Sequence, residues 1–329
     1  MRCGHNPIVR RYFNLPQIMA STSPTDASAM LFAGQGTDVA KTVRKLVSGP
    51  GAENAKGYFE RASAVLGYDL LDVVLNQPEN LKTTAYSQPA ILVAQLAAAY
   101  AYEGTCTDVA GFSLGEYSAL VYAKAISFED GVRLIKLRAC AMQAAAGASK
   151  GSMVTVVGLT DSQLETLCAD AVTACGLKDD TIGIANHLFP QGRVLSGGKP
   201  LVEWVVAQAT SPKYGAAAAT ELPVAGAFHS PYMAPARAAL QECLAEIDIK
   251  MPMASVYSNV TAEAYKTEDE IRELLLQQLE SPVRWEQTVK AMLSAGAKTF
   301  VDAGPGTQLK AMIRRIDRPS FGKTIALDK

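Results

Sequence analysis

Thr107-Asp108-Val109-Ala110-Gly111-Phe112-Ser113-Leu114-Gly115-Glu116 sets a glycine-flanked serine between an apolar run and the start of a helical one. Thr107–Ala110 reads as a short strand. Gly111–Gly115 then turns sharply into a helix from Glu116 to Ala125. The spacing G-x-S-x-G in a strand–turn–helix setting is that of a nucleophile elbow. Its glycines permit the tight turn and leave the Ser113 hydroxyl exposed above a sheet. The helix start adds positive partial charge, and the Leu114 N–H can point at a developing oxyanion. Gly147-Ala148-Ser149-Lys150-Gly151 has the same spacing. It lies in a polar loop with no strand before it, so Ser149 is set aside.

Working outward, Ala29–Gly34 reads as a buried strand that stops at Gly34-Gln35-Gly36, and Thr37–Val47 as a helix. The stretch 48–86 receives no assigned element. Ser87-Gln88-Pro89 reads as a helix start, with a hydroxyl near the cap and proline in the first turn. The apolar helix Ala90–Tyr102 follows. Ser127-Phe128-Glu129-Asp130 fits the start of a further helix running to about Ala146. Strand–helix alternation of this kind implies a parallel sheet covered by helices on both faces.

The rhythm changes after Gly147. Strand Ser152–Gly158, helix Asp161–Ala174, strands Thr181–Ala185 and Gly192–Ser196, helix Pro200–Ala209 and extended Ala216–Val224 follow in turn. That β-α-β-β-α-β order is ferredoxin-like and reads as an inserted small unit. The chain then returns to the first pattern. Helices are expected at Ala234–Ile247, Asp269–Glu280, Trp285–Ala295 and Thr307–Ile316, with strands at Ala254–Ser258 and Thr299–Val301.

Composition excludes several classes. Over 329 residues, 49% are hydrophobic and 19% charged, enough apolar material for a large core. Lys+Arg total 31 against Asp+Glu 32, a formal net charge of −1. No overall positive field exists to hold nucleic acid or an anionic membrane. The most apolar stretch, Pro89–Tyr102, is too short to span a bilayer. Six cysteines are scattered without a C-x-x-C pair, so neither a zinc knuckle nor a redox dithiol is expected. Residues 1–25 carry Arg2, Arg10 and Arg11 and no carboxylate. That pattern is that of an Arg-rich organellar transit peptide, with a disordered basic tail as the alternative.

Serine needs a base to become a nucleophile. Of the three histidines, His5 lies in the amino-terminal segment. His229 sits in a loop entering a helix, where catalytic groups tend to stand, and is favoured over His187 of the small unit. A structural, hydrogen-bonded histidine is the bland alternative for either. Arg138 falls on the apolar face of its helix with Leu134, Ile135 and Met142. An inward guanidinium keeps its charge and needs a carboxylate. Either a protein ion pair or an anionic substrate would satisfy it.

Several segments together resemble the malonyl-CoA:acyl carrier protein transacylases, in particular the mitochondrial type. Leu31–Gly36 is similar to their amino-terminal GQG motif, and Ser87-Gln88-Pro89-Ala90 to their QPA helix start. Gly111–Glu116 resembles their GHSLGE elbow, with Phe112 in place of the usual histidine and Thr37-Asp38 departing from the usual residues after GQG. Arg138 stands 25 residues beyond the serine, as their substrate arginine does. Ala227-Phe228-His229-Ser230 resembles their histidine motif. Gln278, Ser281–Trp285 and Ala303–Gly306 resemble their carboxyl-terminal motifs.

The resemblance implies an α/β-hydrolase-like large domain with a parallel sheet (28–150 and 224–329) and a ferredoxin-like subdomain (151–223), after a transit segment (1–27). It implies a ping-pong acyl transfer from malonyl-CoA to acyl carrier protein, in the mitochondrial matrix, by a monomer without cofactor or metal. Ser113 would be the nucleophile and His229 the base, oriented by a main-chain carbonyl near Gln278. Arg138 would pair the malonyl carboxylate. Gln35 and the Leu114 N–H would hold the oxyanion, and Gln88 would line the substrate site. A serine hydrolase and a catalytically silent carrier-protein module are the competing readings. Lys310, Arg314, Arg315 and Arg318 form a candidate docking patch for the acidic carrier, or simply a solvated helix face.

Overall fold

The computed structural model describes residues 28–328. The segment 1–27 read as a transit peptide, with Cys3 and His5, lies outside the described residues. Two sheets organise the chain. The first is parallel, in the order β7-β2-β1-β8-β9. Its strands are β1 (Ser28–Phe32), β2 (Asp108–Gly111), β7 (Ser255–Tyr257), β8 (Thr299–Asp302) and β9 (Thr324–Ala326). Every pairing is parallel, with Leu31 opposite Ala110 on one side and opposite Asp302 on the other. Sheets of this kind are covered on both faces, so their central strands read as continuous apolar runs. Strand β1 obeys this: Ala29 to Phe32 are fully buried. Met30 and Phe32 face one apolar cluster, and Ala29 and Leu31 face another.

The larger cluster is built by helices α1 (Val39–Leu46), α2 (Ala52–Leu66), α3 (Leu70–Asn76), α4 (Thr84–Tyr100), α5 (Gly115–Tyr122) and α6 (Phe128–Ala148). The opposite face is covered by α11 (Trp285–Ser294) and α12 (Gln308–Ile316). Helices α7 (Asp161–Cys175) and α8 (Lys199–Gln208) pack on the second sheet. Helices α9 (Ala234–Glu246), α10 (Glu268–Gln278) and α13 (Arg318–Phe321) complete the chain.

The second sheet is antiparallel, in the order β4-β5-β3-β6. It comprises β3 (Gly151–Val157), β4 (Ile182–Phe189), β5 (Gly192–Gly198) and β6 (Ala218–Glu221). With α7 and α8 it is the expected ferredoxin-like arrangement, and it has its own core around Val154, Leu195 and Leu201. Its edge strand β4 is tied to the parallel-sheet part by backbone bonds between Ala185, His187 and Val283. Arg193 on β5 reaches Glu286 on α11 at 2.8 Å.

Three sequence expectations need correction. Helix α4 starts at Thr84 and not at Ser87, and Pro89 lies inside it. Pro89 is the sixth residue of α4, past the first turn, so the helix forgoes the main-chain bond from that position to the Ala85 carbonyl. Ser87, Gln88 and Pro89 are therefore buried helix interior and not a cap. Helices α2 and α3 occupy the unassigned stretch. Gly51 and Gly67, both left-handed at φ 79° and 80°, bracket α2. Its apolar residues recur at helical spacing, a readable amphipathic signal. The edge strand β9 and the short helix α13 also escape the pattern reading. Among the described residues no helix is long and apolar enough to cross a membrane.

Candidate active site

Ligand sites in open parallel sheets lie beyond the carboxyl ends of the strands. Here the ends of β1 and β2 deliver Gln35 and Ser113 to one cavity of about 670 Å³. Between β2 and α5 the chain turns with Ser113 in the left-handed region, at φ 54°. A Cβ on Gly111 would meet the Gly115 carbonyl carbon at 1.8 Å, and one on Gly115 would meet the Phe32 oxygen at 2.1 Å. Only glycine lets the helix sit so close to the strands. Phe112 lines the cavity beside Ser113 and meets Trp285 edge to face, with centroids 5.8 Å apart.

His229 comes from the loop before α9 and is also left-handed, at φ 56°. Its Nε2 lies 2.8 Å from Ser113 Oγ, and its Nδ1 lies 2.9 Å from the Gln278 carbonyl oxygen. A carbonyl can only accept, so Nδ1 carries the proton and Nε2 is the free base. Burial first, then the Arg138 charge, lowers the His229 pKa to about 4. The ring is therefore neutral at ordinary pH, as a general base must be.

Arg138, on α6, is fully buried. Its Nη1 donates to Gln88 Oε1 at 2.9 Å. Its Nη2 donates to Ser113 Oγ and to Gln278 Oε1, each at 3.0 Å. The guanidinium lies 5.2 Å from the Tyr117 ring centroid. Among the described residues no carboxylate oxygen lies within 4.0 Å of it. The protein ion pair entertained from the sequence is thus absent among these residues. Burial pulls its pKa down from the usual guanidinium value, opposed by Tyr117 and Glu116. Arg138 stands behind the cavity wall, covered by Gln88 and Ser113.

Gln278 does more than its main chain suggests. Its Nε2 donates to the Ser113 carbonyl oxygen at 2.9 Å and to Glu116 Oε2. Glu116 is fully buried and also accepts from the Tyr265 hydroxyl and the Asn259 N–H. Burial lifts its pKa to about 7 against those donors.

Asn259 is the residue the sequence reading missed. Its Oδ1 accepts from Ser113 N–H at 2.7 Å, and its Nδ2 donates to the Gly111 carbonyl at 2.6 Å. One amide thus closes the elbow at both ends. Because Ser113 N–H is occupied, any oxyanion must look elsewhere. The Leu114 N–H at the start of α5 has no acceptor among the described residues. Gln35 lines the cavity, held loosely by Gln88 Nε2 at 3.3 Å and by Thr84 Oγ1 at 3.5 Å.

His187 is not part of this cluster. Its neighbour Asn186 lines the cavity, while His187 faces Asp161, with Nδ1 to carboxylate 3.7 Å. Ser149 Oγ donates to the Ala145 carbonyl at the end of α6. Of the basic cluster, Lys310 donates to the Thr324 carbonyl at 2.6 Å. Arg314 lies 5.5 Å from the Phe321 ring and Arg315 4.5 Å from that of Phe189.

A left-handed serine turn above a parallel sheet, with an imidazole against its oxygen and a guanidinium beneath, has the geometry that nucleophilic acyl transfer requires. The chain belongs to the acyl transferase domain family, whose model matches residues 30–320. It is 38% identical to the mitochondrial malonyl-CoA-acyl carrier protein transacylase of Homo sapiens over 320 residues, 93% of this chain and 81% of that one. It is 35% identical to the malonyl CoA-acyl carrier protein transacylase of Bacillus subtilis, over 91% of this chain and 92% of that relative. The solved transacylase of Coxiella burnetii superposes with a TM-score of 0.85 at 33% identity, covering 92% of this chain and 94% of that one. A malonyl-transacylase solved in complex with a type II polyketide acyl-carrier protein superposes at 0.83 and 31% identity, over 92% and 95%.

Proposed function

We propose that this protein moves a malonyl group from malonyl-CoA to the phosphopantetheine thiol of acyl carrier protein, through a malonyl ester on Ser113. One observation carries the reading: a buried arginine with no carboxylate partner among the described residues, 3.0 Å from the serine oxygen. A general esterase has no use for such a charge. A carboxylated acyl group on Ser113 supplies what it lacks.

The first half-reaction starts with attack of Ser113 Oγ on the thioester carbonyl carbon. The hydroxyl proton passes to His229 Nε2. The tetrahedral oxyanion is held by the Leu114 N–H and the Gln35 side-chain amide. Collapse breaks the carbon–sulfur bond. The departing CoA sulfur takes the proton back from His229 and leaves as the free thiol. In the second half the carrier thiol gives its proton to the same nitrogen and attacks the ester. Ser113 Oγ leaves and recovers that proton. The Gln278 carbonyl keeps Nδ1 protonated throughout, and no third carboxylate is needed. The ion pair to Arg138 holds the ester in one orientation, so water competes poorly for it.

The division into 28–150 with 224–329, and 151–223, follows the two separate sheets and their cores. Every group used here comes from one chain, so activity is assigned to the monomer. Relatives named as mitochondrial enzymes, together with the Arg-rich, acid-free residues 1–25, support residence in the mitochondrial matrix.

The test is intact-protein mass spectrometry after mixing with malonyl-CoA and no acceptor. A stable malonyl adduct that maps to Ser113 and is absent from Ser113→Ala is the expected outcome. Rapid CoA release without an adduct would indicate hydrolysis. Neither adduct nor release would indicate a silent carrier-protein module.

A further inference from the structure

Arg138 is a fixed charge whose three nearest acceptors are neutral: Gln88 Oε1 at 2.9 Å, Gln278 Oε1 at 3.0 Å and Ser113 Oγ at 3.0 Å. A carboxylate is a stronger acceptor than any of them. Arg138 Nε has no partner among the described residues, but of its acceptors only Gln88 and Ser113 face the cavity, so a carboxylate on Ser113 comes up against the Gln88 bond. The three are not equally held. Ser113 carries the acyl group itself. Gln278 is anchored at both ends, through Nε2 to the Ser113 carbonyl and Glu116, and through its own main-chain oxygen to His229. Gln88 has one short bond, to Arg138, and two long ones on its Nε2. Its Nε2 has Gln35 Oε1 at 3.3 Å and Met142 Sδ at 3.7 Å. Gln88 also lines the cavity, whereas Gln278 does not.

We propose that Gln88 is an exchangeable stand-in for the acyl carboxylate and thereby sets acyl selectivity, an inference that rests on the malonyl reading above. In the resting site its amide oxygen occupies Arg138 Nη1. The carboxylate of a Ser113-bound malonyl group takes that place, and the Gln88 amide keeps its Nε2 bond to Gln35. An uncharged acyl group leaves the Gln88–Arg138 bond intact and gains no ion pair. The same side chain thus keeps the arginine hydrogen-bonded when the site is empty and releases it only to an anion. Because that Nε2 bond ends on Gln35, capture of the carboxylate is linked to the oxyanion donor.

Gln88→Glu tests this with almost no change of shape. Its carboxylate would pair Arg138 permanently and compete with the substrate. Rates of Ser113 acylation by malonyl-CoA and acetyl-CoA are measured on the full chain by quenched-flow mass spectrometry. The malonyl-to-acetyl ratio of kcat/KM is expected to fall roughly thirtyfold or more, mainly through KM for malonyl-CoA. Gln88→Met offers Arg138 no strong acceptor, so nothing has to be displaced and the ratio should rise, by up to about threefold. An unchanged ratio in Gln88→Glu, or a drop in Gln88→Met as large as in Gln88→Glu, would overturn the proposal. If Gln88→Glu does not fold, the Gln88 side-chain amide resonances of the wild type decide. They should shift on malonylation and not on acetylation, and equal behaviour would refute the exchange. Absence of any malonyl adduct on wild-type Ser113 is a separate result, which removes the malonyl reading itself.

Discussion

The cavity has two unlike walls. The wall from the parallel sheet, where Ser113 and His229 line the cavity, is backed by a polar, cross-tied network. Ser113, His229, Gln278, Asn259, Glu116 and Arg138 are joined by hydrogen bonds, most of them between 2.5 and 3.0 Å. The wall from the antiparallel sheet presents Met153, Thr155, Asn186, Leu188 and Val194. It is mainly apolar, and it is attached to the first through β4 and the Arg193–Glu286 pair. The difference teaches a division of labour. Chemistry needs atoms fixed to within a few tenths of an ångström, which a closed polar network provides. Shape selection needs only surface, which a separate sheet can supply and vary.

If that division holds, substitutions on the first wall should strike the chemical step and those on the second should strike selectivity. The largest effect is expected for Arg138→Ala. Loss of a buried charge-assisted partner should lower malonyl kcat/KM by about 2–5 kcal/mol, roughly thirty- to several-thousandfold, and acetyl transfer by much less. Equal losses for both acyl groups would remove the carboxylate role. The same variant has a pH signature. With the His229 pKa near about 4, wild-type kcat/KM should be lost on the acid side only as pH falls through that region. Removing the Arg138 charge should move that limb upward. It should stay below the ordinary histidine range, because burial is the larger cause.

Asn259→Ala comes next. It unclasps Ser113 N–H and the Gly111 carbonyl, both held below 3 Å. Two buried groups left unpaired should lower kcat about ten- to a hundredfold, with KM for malonyl-CoA little changed. An effect confined to melting temperature would make the clasp purely structural. On the second wall, Leu188→Ala should leave the rate of Ser113 acylation by malonyl-CoA within a few-fold. It should raise acceptance of bulkier acyl groups by roughly tenfold, measured as the ratio of kcat/KM values. A collapse of the malonyl rate would erase the contrast between the walls. The smallest effect is expected at the rim. Reversing Arg314 and Arg315 to Glu should raise KM for carrier protein a few-fold at low salt, fading as ionic strength rises. A KM that does not move leaves these arginines as a solvated helix face.

The buried network also gives stability a pH dependence. His229, with its folded pKa at about 4, contributes stability that is lost as pH falls from its ordinary value of 6.5 through that region. Glu116, raised to about 7, acts oppositely, its contribution being lost as pH rises from 4.5 through that value.

The chain by itself determined what depends on near neighbours. The elbow at Ser113 is written in glycines two residues either side of it, because a tight turn is a local steric problem. The placement of Arg138 on an apolar helix face follows from a 3.6-residue period, and the ferredoxin-like order from turns a few residues long. His229 emerged because few histidines compete. What the tertiary structure decided are contacts that no period encodes. Asn259 clasps Ser113 across 146 positions, and the Gln278 amide reaches the Ser113 carbonyl across 165. Whether Arg138 met a carboxylate of its own was likewise open until α4, α6 and α10 were packed together. A side chain's partner over such separations is fixed by how elements stack, and stacking is a property of the whole core.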